Sequence, residues 1–190
     1  MSRHGWLLVG CALACAGSVA VASQAQAPPR YGLGRPATPD EIRARDIDVM
    51  PDGRGLPPGK GTVRDGASVY GAKCASCHGA KGEGGSAERL VGRNEGDDFA
   101  YAMNPKLIRT IGSYWPYATT LFDYTSRAMP FQRPGTLTAD ETYSLVAYLL
   151  FLNGIVQEDA VMDAGSLPKV VMPARDRFVP DDRTGGKRVK

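Results

Sequence analysis

The chain has 190 residues, 43% of them hydrophobic and 23% charged, a balance that fits a globular domain with appendages and excludes an intrinsically disordered chain. Lys and Arg number 23 against 20 Asp and Glu, a formal charge of +3, which is too slight for a nucleic-acid binder held by its electrostatic field. The 23 Gly and 14 Pro imply many loops around a modest core, and no interior apolar run reaches the roughly 18 residues of a membrane span.

In chain order, Arg3 and His4 make a short positive start, Trp6 to Ala22 is apolar or small, and Ala25-Gln26-Ala27 has the small-x-small pattern cut by signal peptidase. Residues 1–27 are therefore expected to be a cleavable signal peptide, with the mature chain 28–190 periplasmic and without a membrane span. One alternative is an uncleaved anchor on the same segment. Another is a lipid-modified Cys11 after Leu8-Val9-Gly10, a weaker reading because few apolar residues precede that cysteine. Cleavage removes one Arg, so the mature charge is 22 − 20 = +2. Four of those cations sit in a basic tail, 183–190, and the body 28–182 is 18 − 20 = −2. Cleavage also removes His4, Cys11 and Cys15, leaving Cys74, Cys77 and His78 as the mature chain's cysteines and histidine.

Residues 28–61, with the run Gly53-Arg54-Gly55-Leu56-Pro57-Pro58-Gly59, read as an extended N-terminal arm. One short helix start interrupts it at Thr38-Pro39-Asp40-Glu41, where Pro stands at the first helical position and Glu closes a capping box. The main domain is expected over 62–154. Its first helix runs from about Val63 to Lys73 with Gly66 and Tyr70 on one face at i, i+4. A glycine-rich loop follows from Gly79 to Gly92. It suits close backbone approach to a flat ligand, and it lacks the preceding strand that a phosphate-binding loop requires. Asn104-Pro105 opens a second helix to about Ile111, Trp115 to Tyr117 is an aromatic corner, and Ala118 to Arg127 is a third helix. The last helix is the best delimited: Thr138 and Glu141 form a capping box, Tyr143 to Leu152 is almost wholly apolar, and Asn153-Gly154 stops it. Residues 155–190, aperiodic and containing Pro168, Pro173 and Pro180, read as a C-terminal strap that fades into disorder after about Asp182. The expected fold is all-α, with no internal repeat.

Cys74-Ala75-Ser76-Cys77-His78 carries the chemistry. Two thiols at this spacing on one turn can each add across a haem vinyl group, and the following His then presents its imidazole to the iron, so C-x-x-C-H marks c-type haem attachment. A zinc site wants four ligands, which the mature chain lacks. A thioredoxin-like pair belongs beside a βαβ pattern, and none is visible. A disulfide across two intervening residues would be strained and leave His78 idle. One motif implies one covalent haem c, held by Cys74 and Cys77, with His78 as proximal iron ligand. Bis-histidine ligation is excluded by count, so the sixth ligand is sought among Met50, Met103, Met129, Met162 and Met172. Met129 stands in Arg127-Ala128-Met129-Pro130-Phe131, where the Pro keeps the chain extended, 51 residues beyond His78 and with room for two helices between. It is the expected distal ligand. Met103, just before Asn104-Pro105, reads equally well as packing.

This pattern resembles a class I cytochrome c. In that family a Gly and an aromatic of the first helix cross an apolar and aromatic pair of the last; Gly66 and Tyr70 match the former, Leu145 and Tyr148 the latter. The family often places a Pro two residues before a Leu after the haem His, and the Pro carbonyl accepts from the His ring. Glu88 stands before Leu90 at that spacing, so its carbonyl is expected to take the role. A closer resemblance covers most of the mature chain, through Gly34 to Ile42, Asp46-Ile47-Asp48-Val49, Pro51 to Gly59, Gly112 to Tyr124, Arg127 to Phe131, Leu167 to Val170 and Met172-Pro173. This set is similar to the cytochrome subunits of bacterial sulfane dehydrogenase and its sulfite dehydrogenase relatives. The resemblance implies single-electron transfer from a molybdenum-cofactor dehydrogenase subunit to a downstream cytochrome or oxidase, and no enzyme activity of the chain by itself. Longer members carry a second haem, which this chain lacks. Two other functions compete. A free shuttle to a terminal oxidase is favoured by strong surface charge, which the near-neutral body does not offer. A haem enzyme or sensor needs an open distal site and usually a distal His or Arg.

Overall fold

The computed structural model describes residues 31–179. The expected signal peptide 1–27 with its alternatives, residues 28–30, the basic tail 183–190 and the expected fade into disorder all lie outside the described residues. The chain divides into two units, Met1–Thr38 and Pro39–Lys190. The described part of the first, residues 31–38, forms neither helix nor strand and is exposed.

The second unit opens with α1, Pro39–Arg43, where Pro at the first position costs no hydrogen bond. There follow α2, Val63–Lys73, and α3, Ala75–His78. After a long irregular stretch come α4, Ala118–Ala128, and α5, Ala139–Leu152. Thr62 caps α2, its hydroxyl accepting the Asp65 backbone N–H at 3.1 Å. The capping box of α5 is present in both directions: Glu141 N–H to Thr138 Oγ1 at 3.2 Å and Thr138 N–H to Glu141 Oε2 at 3.0 Å. Asn153 ends the helix, and Gly154 follows at φ +65°, the left-handed conformation a helix stop favours.

The α2–α5 crossing organises the core. A Cβ on Gly66 would lie 1.9 Å from the Ser144 carbonyl oxygen and 2.7 Å from Tyr148 Cβ, so the backbones meet there only because Gly66 has no side chain. One turn on, the Tyr70 ring lies 5.4 Å from that of Tyr148. The expected pairing thus holds for Tyr148, while the residue facing Gly66 is Ser144; Leu145 is buried in the core. Tyr143, Val146 and Leu150 of α5 join Leu121 and Phe122 of α4 in the same core, with the Phe122 and Tyr143 rings 4.5 Å apart.

Among the described residues, β1 (Lys60–Thr62) and β2 (Val161–Asp163) form an antiparallel pair, with Gly61 opposite Met162. Three-residue strands are too short for an alternating pattern to register in the sequence. The pair joins the end of the Gly/Pro-rich stretch to the start of the strap, and both pack on α5, where a Cβ on Gly61 would lie 2.1 Å from Ser144 N. Tyr143 donates its hydroxyl to the Pro57 carbonyl at 2.9 Å, and Lys60 N–H reaches Asp140 Oδ1 at 2.8 Å. Leu167, Met172 and Ala174 of the strap are buried.

The helix expected from Asn104 to Ile111 does not form. Asn104 Oδ1 takes the Lys106 N–H at 3.1 Å, a local turn that competes with helix. The N–H groups a helix would use internally are engaged elsewhere: Ile108 with Asn94 Oδ1 at 3.3 Å and Ile111 with the Leu90 carbonyl at 3.0 Å. No helix of the described residues is long and apolar enough to cross a membrane.

Lys73 Nζ lies 2.5 Å from Glu141 Oε1 and ties the end of α2 to the first turn of α5. The Lys73 hydrogen bond, followed by the Thr138 backbone N–H, holds the Glu141 carboxyl below its ordinary value of 4.5. A carboxylate so lowered contributes stability that is complete above its unfolded value and lost as pH falls through the folded one. The unfolding midpoint in urea should therefore drop on acidification below about pH 4.5. Glu141→Gln should flatten that limb while leaving the slope above about pH 6 unchanged.

Candidate functional site

Cys74 is the C-cap of α2, its N–H bonded to the Tyr70 carbonyl at 2.9 Å. The chain then makes the single turn of α3, in which Cys77 N–H and His78 N–H both reach the Cys74 carbonyl at 3.1 Å, and Gly79 at φ +83° ends it. A Cβ on Gly79 would lie 2.5 Å from the Glu83 carboxyl carbon and 2.8 Å from the Gly84 carbonyl oxygen. This turn sets Cys74 and Cys77 three residues apart, the spacing of neighbours on a helix face. Both are half-buried, and no disulfide joins them. Burial pushes the Cys74 thiol up to about 11, whereas a C-x-x-C redox pair needs a thiol lowered toward neutral pH.

His78 Nδ1 lies 2.8 Å from the Glu88 carbonyl oxygen. A carbonyl can only accept, so Nδ1 is the donor in this bond, and in the neutral ring that leaves the Nε2 lone pair for a metal. The expectation that Glu88 fills the Pro position through its backbone is met. The loop that brings Glu88 there is closed on itself: Ala87 N–H bonds the Cys77 carbonyl at 3.0 Å, Gly84 N–H the His78 carbonyl at 2.8 Å, and Leu90 N–H the Gly82 carbonyl at 2.9 Å. Tyr70 donates its hydroxyl to the Gly79 carbonyl at 2.9 Å, and burial pushes that phenol up to about 12, so it remains a donor at neutral pH.

Met129 is the C-cap of α4. Its N–H bonds the Thr125 carbonyl at 3.1 Å, and its backbone is extended at φ −118°, ψ 151°, as a residue before proline should be. It is half-buried, and Phe131 beyond it is 84% exposed. The rival methionines sort by burial: Met103 is 85% exposed, Met50 is also exposed, and Met162 and Met172 lie within the packed core. Cys74, Cys77 and His78 are therefore brought together by one turn, while Met129 stands at the end of a separate helix. Among the described residues no cluster of three or more His, Cys, Asp or Glu stands ready for a metal ion. Two free thiols a turn apart and a following imidazole held through Nδ1 fit the attachment of a c-type haem.

Residues 61–149 match the family model described as cytochrome c oxidase, cbb3-type, subunit III. No curated protein matches the chain. Among solved structures, the chain is similar to the crystal structure of the sulfane dehydrogenase SoxCD from Paracoccus pantotrophus, at 44% identity and a TM-score of 0.70, over 81% of this chain and 74% of that one. The chain belongs to the cytochrome c family. Its fold is that of class I, its cofactor is haem and its role is electron transfer.

In this cytochrome, sequence reasoning missed two sets of residues. Asn153 read only as a helix stop, yet its Oδ1 accepts the Gly92 N–H at 3.1 Å and its Nδ2 donates to the Leu149 carbonyl at 2.8 Å, tying the end of α5 to the loop after His78. A second cluster gathers Phe99, Tyr101, Tyr114 and Phe178, with ring centroids 5.0–6.0 Å apart. Arg109 lies over the Tyr101 and Tyr114 rings and Arg177 over Phe99. The expected corner at Trp115 is separate: Trp115 packs edge-on against Tyr124 at 5.7 Å. The aromatic count in 99–117 was the available signal, but the strap's Phe178 is too distant in sequence for pattern reading to pair with it.

Proposed function

We propose that this chain is a periplasmic monohaem c-type cytochrome that accepts single electrons from the molybdenum-cofactor subunit of a sulfane or sulfite dehydrogenase and passes them to a downstream cytochrome or oxidase. Haem bound here supplies a one-electron iron couple. Cys74 and Cys77 would hold it covalently, His78 would offer Nε2 to the iron with the ring oriented by the Glu88 carbonyl, and Met129 would offer its thioether. A neutral sulfur donor opposite histidine favours reduced iron. Oxidoreduction at such a centre needs no general acid or base. The signal-like pattern of segment 1–27 supports export before haem attachment. The observation that carries the reading is the His78 ring, fixed through Nδ1 beside two unpaired thiols.

The likeness to sulfane dehydrogenase supports the partner reading, and the exposed residues beside Met129 are consistent with it. Phe131 is 84% exposed and Ala128 half-buried, apolar side chains of the kind that interfaces bury within a polar surround. Phe131→Asp should slow reduction of this cytochrome by the purified molybdenum subunit by about tenfold or more, the loss expected for one well-placed aromatic. The visible spectrum of the isolated cytochrome should not change. If the molybdenum subunit and its sulfur substrate reduce the wild-type haem no faster than substrate alone, the partner reading fails and a free shuttle to a terminal oxidase replaces it.

A further inference from the structure

α4 carries a buried carboxylate that the chemistry above does not use. Asp123 is 8% exposed, on a helix whose Leu121 and Phe122 enter the core. Its Oδ1 accepts the backbone N–H of Val49 at 3.0 Å, 74 residues away in sequence. Its Oδ2 is bonded by the Arg127 guanidinium one turn on, and Arg127 also reaches Asp48 Oδ1 at 3.4 Å. In the first turn of α4, Thr119 donates its hydroxyl to the Pro51 carbonyl at 3.2 Å. Residues 48–51 are thus fastened to the first, middle and last turns of the helix whose C-cap is Met129.

An apolar residue would fill the Asp123 position without taking a charge out of water. What the carboxylate adds is direction: it joins a fixed backbone N–H to a cation in the last helical turn, where helices otherwise fray and where a positive charge complements the helix dipole. We propose that Asp123 is a positioning residue for Met129. Through Val49 and Arg127 it clamps the end of α4 to residues 48–51 and so sets the fraction of time the Met129 thioether stays in its ligand position. This rests on Met129 being the distal ligand.

The test uses the full chain matured with haem and two readouts: the weak sulfur-to-iron band at the red end of the visible spectrum, and the affinity for added imidazole. Imidazole binds only when the distal position is open, so its apparent affinity follows the open fraction. Asp123→Ala should weaken the band and tighten imidazole binding about tenfold or more, the equivalent of one hydrogen bond to a charged group. Asp123→Asn, which keeps an acceptor for Val49, should fall between it and wild type. Arg127→Gln should act in the same direction and stands in if Asp123→Ala does not fold. Tyr143→Phe, which removes the bond to the Pro57 carbonyl, loosens the molecule elsewhere and should leave imidazole affinity unchanged. If Tyr143→Phe raises it as much as Asp123→Ala does, general loosening is the cause and the clamp is overturned. Unchanged band and affinity in both Asp123→Ala and Arg127→Gln would overturn the clamp alone, provided Met129→Ala opens the iron. A Met129→Ala protein that keeps the band would overturn the ligand reading and the clamp with it.

Discussion

Met129→Ala is expected to abolish the sulfur-to-iron band of the ferric protein and to open the iron to exogenous ligands. A methionine-bound site opens only as a minor state, typically populated at roughly 0.1–10%. Apparent affinity scales with the competent fraction, so imidazole should bind roughly ten- to a thousandfold more tightly once the thioether is gone. The reduction potential should fall as well, because sulfur opposite histidine raises it. Met103→Ala is the comparison. Met103 is 85% exposed, so its removal should leave the band, the potential and the imidazole affinity as in wild type. The reverse outcome, with Met103→Ala opening the iron and Met129→Ala leaving it closed, would assign the distal ligand to the wrong loop.

Gly66→Ala should damage the fold severely. The added Cβ would lie 1.9 Å from the Ser144 carbonyl oxygen, a backbone atom that cannot turn aside as a flexible side chain can. α2 and α5 would have to separate at the point where they cross, which also parts Tyr70 from Tyr148. Overpacking of a close-packed core costs about 1–3 kcal/mol and sometimes more, and a clash with backbone belongs at the upper end. Urea unfolding of the haem-loaded protein should show a loss of about 3 kcal/mol or more. Gly71→Ala is the control. It lies on the same helix with no atom near its would-be Cβ, and it should be neutral or gain up to about 1 kcal/mol from helix propensity.

The elements that were legible in the sequence are those whose determinants are local. The capping box of α5 is written in Thr138 and Glu141 and the stop in Asn153-Gly154, because caps are short-range features, whereas the helix crossing at Gly66 and Tyr70 came from the resemblance to class I cytochromes c. The Glu88 carbonyl was reachable only through the family's Pro-x-Leu pattern, and a backbone acceptor does not depend on the side chain that happens to stand there. The elements that were not legible depend on partners far along the chain. The Asn104–Ile111 segment has an acceptable helix start, but Asn94 and Leu90 take the N–H groups that helix would need. β1 and β2 lie about a hundred residues apart with three residues each, so neither carries a pattern of its own. Asp123 could have been noticed as a lone acid between core residues with Arg127 four positions on, although nothing local would have identified Val49 as its other partner.

The central claim is that Cys74 and Cys77 bind haem covalently in a cytochrome of single-electron function. Its most direct test is acid-acetone extraction of the protein produced with the c-type maturation machinery, followed by a denaturing gel stained for haem. The account predicts that the haem stays with the polypeptide of the wild type and is lost from the Cys74→Ser, Cys77→Ser double variant. Haem that passes into the acetone from the wild type would contradict it.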